Sequence, residues 1–380
     1  MNKIKIFLII IFSLFFTSCW NYRELDQVST AAGVAFDYDE NKNKYILTVE
    51  IVTITNYGQG QSLILPEYFS EEGDTIFDAV RNLISKTGKK IFWSHAKVVF
   101  INKKLAKRGI LPILDWIERD AEVRPDMKIV FVNSKMAKDV FTTTNNLQKI
   151  VSFHVYDILE SSKNIAKYPN INLWQVINEI QSDSAATILP VAHIIEEKGR
   201  NIVKISGCAL FKDAKLLGFL DDHNTKNLLF IKNQIKGGII PIKNALSTGT
   251  DISFEIYNSQ AKITPIVDDK VKFKIDISVD VSLAENSGEF DFIKEENLIK
   301  LKDFSEKYIA QDIENTLSII QSYNADIVNF GRFLKIKYPT YWKKNKDNWN
   351  KIFQTVSYSV NVKLNIFGTA TTSKIIRVGK

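Results

Sequence analysis

Histidine and cysteine are the side chains best able to act here as base, nucleophile or soft metal ligand, and the chain is sparing with both: four His and two Cys in 380 residues. His95, His154, His193 and His223 stand at least 30 residues apart, so no two share a helix turn as the ligands of an HExxH motif do. CxxC and EF-hand patterns are absent too. Without GxSxG, GxxxxGK[ST] or GxGxxG, the hydrolase, P-loop and dinucleotide readings have no starting point, and Gly58-Gln59-Gly60 is too short to count. His95 is the most tempting residue, because the charged stretch DWIERDAEVRPD follows it and Asp120 could orient a catalytic imidazole. A simpler reading competes. Within KIFWSHAKVVFIN (90–102), read as one strand, His95 shares a face with Ile91, Trp93 and Val99 and becomes a hydrogen-bonded structural residue. Glu118, Arg119, Asp120, Glu122 and Arg124 then read as a solvated ion-pair cluster. Trp342, Trp349 and Phe353, seven and four apart, fall on one face of a helix over 340–353. They could stack bases or sugars, but a core-facing stripe with Lys343, Lys344 and Lys346 on the wet side explains them as well. No catalytic, cofactor-binding or metal-ligating residue is expected.

Cys19 is different. Lys3 and Lys5 precede an apolar run from Ile6 to Phe16, too short for the ~20 residues that cross a bilayer but the length of a signal-peptide core. Thr17 and Ser18 then lead into Cys19, and an export signal ending small-small-Cys resembles that of a bacterial lipoprotein. There the thiol takes diacylglycerol, the peptidase cuts before the cysteine, and the new amino group is open to acylation. Phe16 departs from the usual aliphatic residue three places before the cysteine. An ordinary signal with an incidental Cys and an uncleaved anchor are the competing readings. Removing Lys3 and Lys5 takes the formal charge from +7 to +5. Cys208 is left as the only thiol, so no intrachain disulfide is expected; its setting, IVKISGCALF, suits a small buried hydrophobe.

Composition, 45% hydrophobic and 24% charged, is that of a globular body, and about 360 mature residues suggest two or three domains. The mild basic surplus is spread out, which favours anionic headgroups weakly and makes no case for nucleic acid. Two extended segments, VSTAAGVAFDYD and KYILTVEIVTIT, come first, and the Gly- and polar-rich stretch 56–73 reads as a surface loop. A helix over 75–87 is capped by Thr75, carries Ile76, Phe77, Val80, Leu83 and Ile84, and ends at Gly88. The strand 90–102, a helix at 110–119 entered through Pro112, the strand 127–133, a short helix capped by Ser134 and a helix at 172–181 follow. After a boundary near 196–201 come a hairpin about Lys212-Asp213 and three strands (251–257, 261–267, 271–283) with turns at 258–260 and Asp268-Asp269. A long helix over 294–322, the 340–353 helix and a last strand complete the chain. The fold class is α+β: mixed and antiparallel sheets packed with helices in a multi-subdomain body. Residues 1–18 are the signal peptide, 19–198 a mixed α/β region of one or two subdomains, and 199–380 an antiparallel sheet with long helices.

These segments resemble the Ger(x)C family of spore-germination lipoproteins. CWNYREL, AAGVAFDYD, GDTIFDAVRNL with KKIFWSHAKVVFI, and AKRGILPILDWIERDAEVRPDMKIVF match its first half. GCALFKDAKLLGFLDDHNTKNLLFIKNQIKGGII and YNADIVNFGRFLKIKYPTYWKKNKDNW match its two C-terminal signatures; Asn21 replaces the usual Asp after Trp20. The resemblance implies a non-enzymatic C subunit of a nutrient germinant receptor. Such a subunit sits on the outer face of the inner spore membrane, held by diacylglycerol on Cys19, beside multi-pass A and B subunits. It also implies a body of three mixed subdomains. A solute-binding envelope lipoprotein serving a transporter is the alternative, and an envelope hydrolase needing His95 or an acidic pair is a third.

Overall fold

The computed structural model describes residues 28–56, 62–145, 148–292 and 294–367; the signal segment, Cys19 and the WNYREL after it lie outside them. β1 (Val28–Asp39) turns into β2 (Lys44–Asn56), which pairs along its length with β3 (Ser62–Gly73). Residues 62–73 are thus a strand, not the expected loop. Pro66 misleads, but β3 is an edge strand, and there a missing N–H costs no ladder bond.

Thr75 caps α1 (Ile76–Asn82), accepting from the Asp78 amide at 3.1 Å, and left-handed Gly88 ends α2 (Ile84–Thr87). Ile76, Val80 and Leu83 are buried, while Phe77 is exposed. The strand expected over 90–102 is two: β4 (Lys90–Phe92) and β5 (Val98–Ile101). The break lets Trp93 leave the pleat and pack edge-on against Trp116, ring centres 5.1 Å apart. Asn102 caps α3 (Lys103–Arg108), Pro112 opens α4 (Leu111–Arg119), and β6 (Lys128–Val132) follows. A 3-10 turn over Ala137–Thr142 replaces the expected short helix. Ser134 does not cap it directly but donates to Asp139, whose carboxylate also takes the Met136 amide. Then come α5 (Val151–Glu160), α6 (Leu173–Gln181), β7 (Ala186–Glu197), β8 (Arg200–Lys212) and β9 (Lys215–Leu220).

These strands form one sheet, ordered β3-β2-β1-β5-β6-β7-β8-β9, with β4 also on β1. Its centre, β1, β5, β6 and β7, is parallel, and antiparallel hairpins flank it. β5 and β6 are buried at every residue because both faces are covered. Val99, Ile101, Ile129 and Phe131 meet α1, α3, α4 and α6. Val98, Phe100, Val130 and Val132 meet the 3-10 turn and α5. The sheet continues past Lys198-Gly199, the turn joining β7 to β8.

Asp221 caps α7 (Asp222–Ile231), whose last four residues are all buried. α7 packs Cys208 and Leu210 of β8 on one side and the second sheet on the other, in one continuous core. That sheet is β10 (Gly238–Ile242), β11 (Asp251–Val267), β12 (Val271–Ser287) and β13 (Ser357–Ile366). β11 is a single strand; residues 258–260, expected as a turn, stay paired with β12, and a bulge just before them, between Ile256 and Asn258, keeps Ser259 inward. β13 runs parallel to β12, so the sheet is mixed. α8 (Glu295–Ser322) lines its inner face with Leu301, Ile309, Ile313, Leu317 and Ile320. The carboxylates of Glu306 and Glu314 take the Leu364 and Val360 amides of β13 at 2.8 and 3.2 Å, which closes that edge.

The expected 340–353 helix is interrupted: α9 (Phe330–Lys337), α10 (Pro339–Asn345) and α11 (Trp349–Thr355) are separate, with a 3-10 turn before the last. Trp342, Trp349 and Phe353 nonetheless share the core, so the stripe serves packing. Asp326, wholly buried, ties the knot. Its carboxylate accepts from the Phe330 amide at 2.8 Å, the Gly331 amide at 2.7 Å and the Trp349 indole at 2.9 Å. Asp326→Ala orphans three buried donors, and a loss of roughly 3–5 kcal/mol in urea unfolding is expected. A loss below about 1 kcal/mol would contradict this assignment.

Candidate functional site

Buried carboxylates are where acid–base chemistry would be sought, and the large sheet has two. Asp37 of β1 accepts from the Ala137 amide at 2.6 Å and the Lys138 amide at 3.2 Å. Glu50 of β2 accepts from the Val151 and Ser152 amides, each at 2.8 Å, and from the Tyr68 hydroxyl. Both cap the start of a helical turn about a hundred residues away, where backbone N–H groups lack intrahelical partners. Burial raises both carboxyls, Asp37 to about 6, and the amides oppose the rise. Burial, with Glu50 alongside, raises the Tyr68 phenol as well. A partly buried acid, Glu179 of α6, pairs with Lys232 after α7 at 3.1 Å, and the ammonium also donates to the Ile327 carbonyl. That pair joins the first half of the chain to the second. Asp37 and Glu50 thus hold backbone amides together across the sheet.

The histidines do not assemble. His95 is not on a strand face: it lies exposed in the turn between β4 and β5, its ring 5.8 Å from that of Phe92. The Asp120 carboxylate meanwhile takes the Glu122 amide at 3.0 Å. The ion-pair cluster expected among Glu118, Arg119, Asp120, Glu122 and Arg124 does not form; Arg119 pairs instead with Asp115, Arg124 with Asp126 and Glu122 with Lys90. His193 meets Asn133 and the Ser206 carbonyl, and His223 meets Asp312 at 2.8 Å. Among the described residues no group of three His, Cys, Asp or Glu could hold a metal, and no helix is long and apolar enough to cross a membrane. Cys208 is buried, its thiol accepts from Thr225, and burial pushes it up to about 12. Cys19 falls outside the described residues.

A crevice of about 480 Å³ opens between Thr143–Asn145, the start of α5 and the β7–β8 turn. The Asn145 amide faces His154 Nε2 at 2.7 Å, and burial lowers the imidazole below its usual range. With Glu197, Lys198 and Arg200 on the rim and Thr143, Asn145 and Gln148 along the wall, the crevice suits a small polar solute. Sequence reading did not single out His154. Its partner lies before the helix and its rim on a distant hairpin, so no local spacing marks it.

The family models described as spore germination protein N-terminal domain and as spore germination B3/GerAC-like, C-terminal, match residues 21–194 and 206–370. Spore germination protein B3 of Bacillus subtilis (strain 168) is 28% identical over 367 residues, with 94% of this chain and 95% of the relative covered. Spore germination protein A3 of the same strain is 25% identical, covering 98% of this chain and 100% of the relative. The crystal structure of the GerBC protein shares the fold, with a TM-score of 0.56 at 22% identity over 88% of this chain and 97% of that one.

Asp37 gives the site a pH signature. Folding raises its carboxyl from 3.8 to about 6, so between these values the folded chain keeps a proton that the unfolded chain has released. Its contribution to stability is therefore fullest below about pH 4 and declines by roughly 3 kcal/mol as pH rises to about 6. Asp37→Asn should flatten that part of the stability profile in urea titrations from pH 4 to 7. An unchanged slope would show that Asp37 does not titrate in this window.

Proposed function

Because the chain belongs to the GerAC-type family of spore germination proteins, whose two models match its halves in order, we propose that it is a non-enzymatic subunit of a nutrient germinant receptor. Diacylglycerol on Cys19 holds it on the outer face of the inner spore membrane, where it assembles with multi-pass A and B subunits. The observation that carries the reading is the adjacency of two signals: the family match starts at residue 21, two places after the small-small-Cys sequence. The arrangement of the acids supports a non-catalytic body, since Asp37, Glu50 and Asp326 are engaged as helix caps. One diacyl anchor supplies two chains, enough for stable attachment where a single chain is marginal. It also confines the body to a thin layer beside its partners and so raises their effective concentration without any new contact.

Affinity capture of the tagged full chain from detergent-solubilised spore membranes tests this. The native form should bring down two multi-pass proteins, and Cys19→Ala should leave the membrane fraction. Capture without such partners sinks the receptor reading, and undiminished membrane retention of Cys19→Ala sinks the anchor. A rise in melting temperature of the partner-free protein with a small solute would favour solute capture instead, with the crevice beside His154 as the place to look.

A further inference from the structure

Residues 51–66 contain no Asp, Glu, Lys or Arg, in a chain that is 24% charged. In the fold, residues 52–56 and 62–66 of this stretch form the outer end of the β2–β3 ribbon. The last rung between β1 and β2 is Ala31 with Ile51. Beyond it, residues 52–56 pair with residues 62–66, an arm five rungs long. At ~3.3 Å per residue it reaches roughly 17 Å past the last β1 rung. Ile54 and Ile64 face each other across one side of it, and they are 68% and 55% exposed. Leu63, on the other side, is 44% exposed. A projecting ribbon with apolar groups on both faces has no core of its own to bury them in, which marks a contact surface.

The direction of the arm says what it meets. β2 leaves β1 at the end of the sheet where β1 begins, and there Val28 lies level with Lys90, the first residue of β4. Val28 follows Cys19 by nine residues, which even fully extended span at most about 32 Å. A lipid on Cys19 therefore keeps this end of the sheet close to the bilayer. We propose that the arm is a second membrane contact, with Ile54, Leu63 and Ile64 entering the boundary between headgroups and acyl chains. The proposal rests on the Cys19 anchor. An arm without charge avoids the cost of desolvating ions. Its depth stops at the interface, because the outward backbone groups of edge strand β3 need water or headgroup partners. One tether leaves the body free to pivot, whereas a tether with an adjacent apolar contact fixes which face it turns to proteins in the membrane.

Site-specific labelling tests this on the full acylated chain in phosphatidylcholine vesicles. An environment-sensitive fluorophore is placed on Ile64→Cys or, at the opposite end of the sheet, on Asn41→Cys in the β1–β2 turn; buried Cys208 does not compete for label. The Ile64 label should shift to the blue and be quenched by spin-labelled lipid, while the Asn41 label stays aqueous. If the protein floats with vesicles but both labels remain aqueous, the arm is not a membrane contact and the anchor stands; a second copy or an apolar partner surface then covers it. Burial of both labels overturns the proposed orientation. Failure of the acylated chain to float removes the anchor and this inference with it.

Discussion

A carboxylate survives in a protein core only when donors surround it, and here the donors are the open ends of helices. Asp37 and Glu50 sit on β1 and β2, and the turns they cap, at 137–142 and 151–160, lie on the face of the sheet that α5 covers. Remove the acids and the amides of two helical starts would be buried without partners. Keep them and the sheet can be roofed on that side. Asp326 repeats the device in the second half, where it fixes the start of α9 and the Trp349 indole together.

The same economy shapes function. An acid committed to two amides, as Asp37, Glu50 and Asp326 each are, is poorly placed to move protons for a substrate. The histidines are scattered, and the described thiol is buried. Among the described residues, the crevice beside His154 and the arm of residues 52–56 and 62–66 lie open at the surface. The halves also share one core, with α7 buried between β8 and the second sheet and Lys232 joined to Glu179. The turn at Lys198-Gly199 sits inside a paired hairpin and offers no free linker on which the halves could swing.

Much of the fold was legible from local pattern. Thr75, Gly88 and Pro112 marked helix ends because capping and ring constraints act over one turn. The 3.6-residue stripe of 294–322 and the alternation in VKFKIDISVDVSL gave α8 and β12. The misreadings came where a long-range demand outweighed local preference. Trp93 broke a strand to fill a core against Trp116, Pro66 was admitted to a strand because that strand is an edge, and β11 carried the polar triplet 258–260 as paired strand beyond a bulge at Tyr257. His95 seemed to alternate with buried neighbours only while 90–102 was taken as unbroken.

The sequence by itself determined the class of body and the family signatures, since each is written in consecutive residues. Tertiary structure decided what the acids do. Asp37 and Glu50 look like ordinary strand residues until helices that start about a hundred residues later place their amides within hydrogen-bond reach. It also decided that residues 62–66, which read locally as loop, pair with residues 52–56 as an arm beyond the last rung between β1 and β2. Both facts depend on pairing between distant segments, and no local spacing records that pairing.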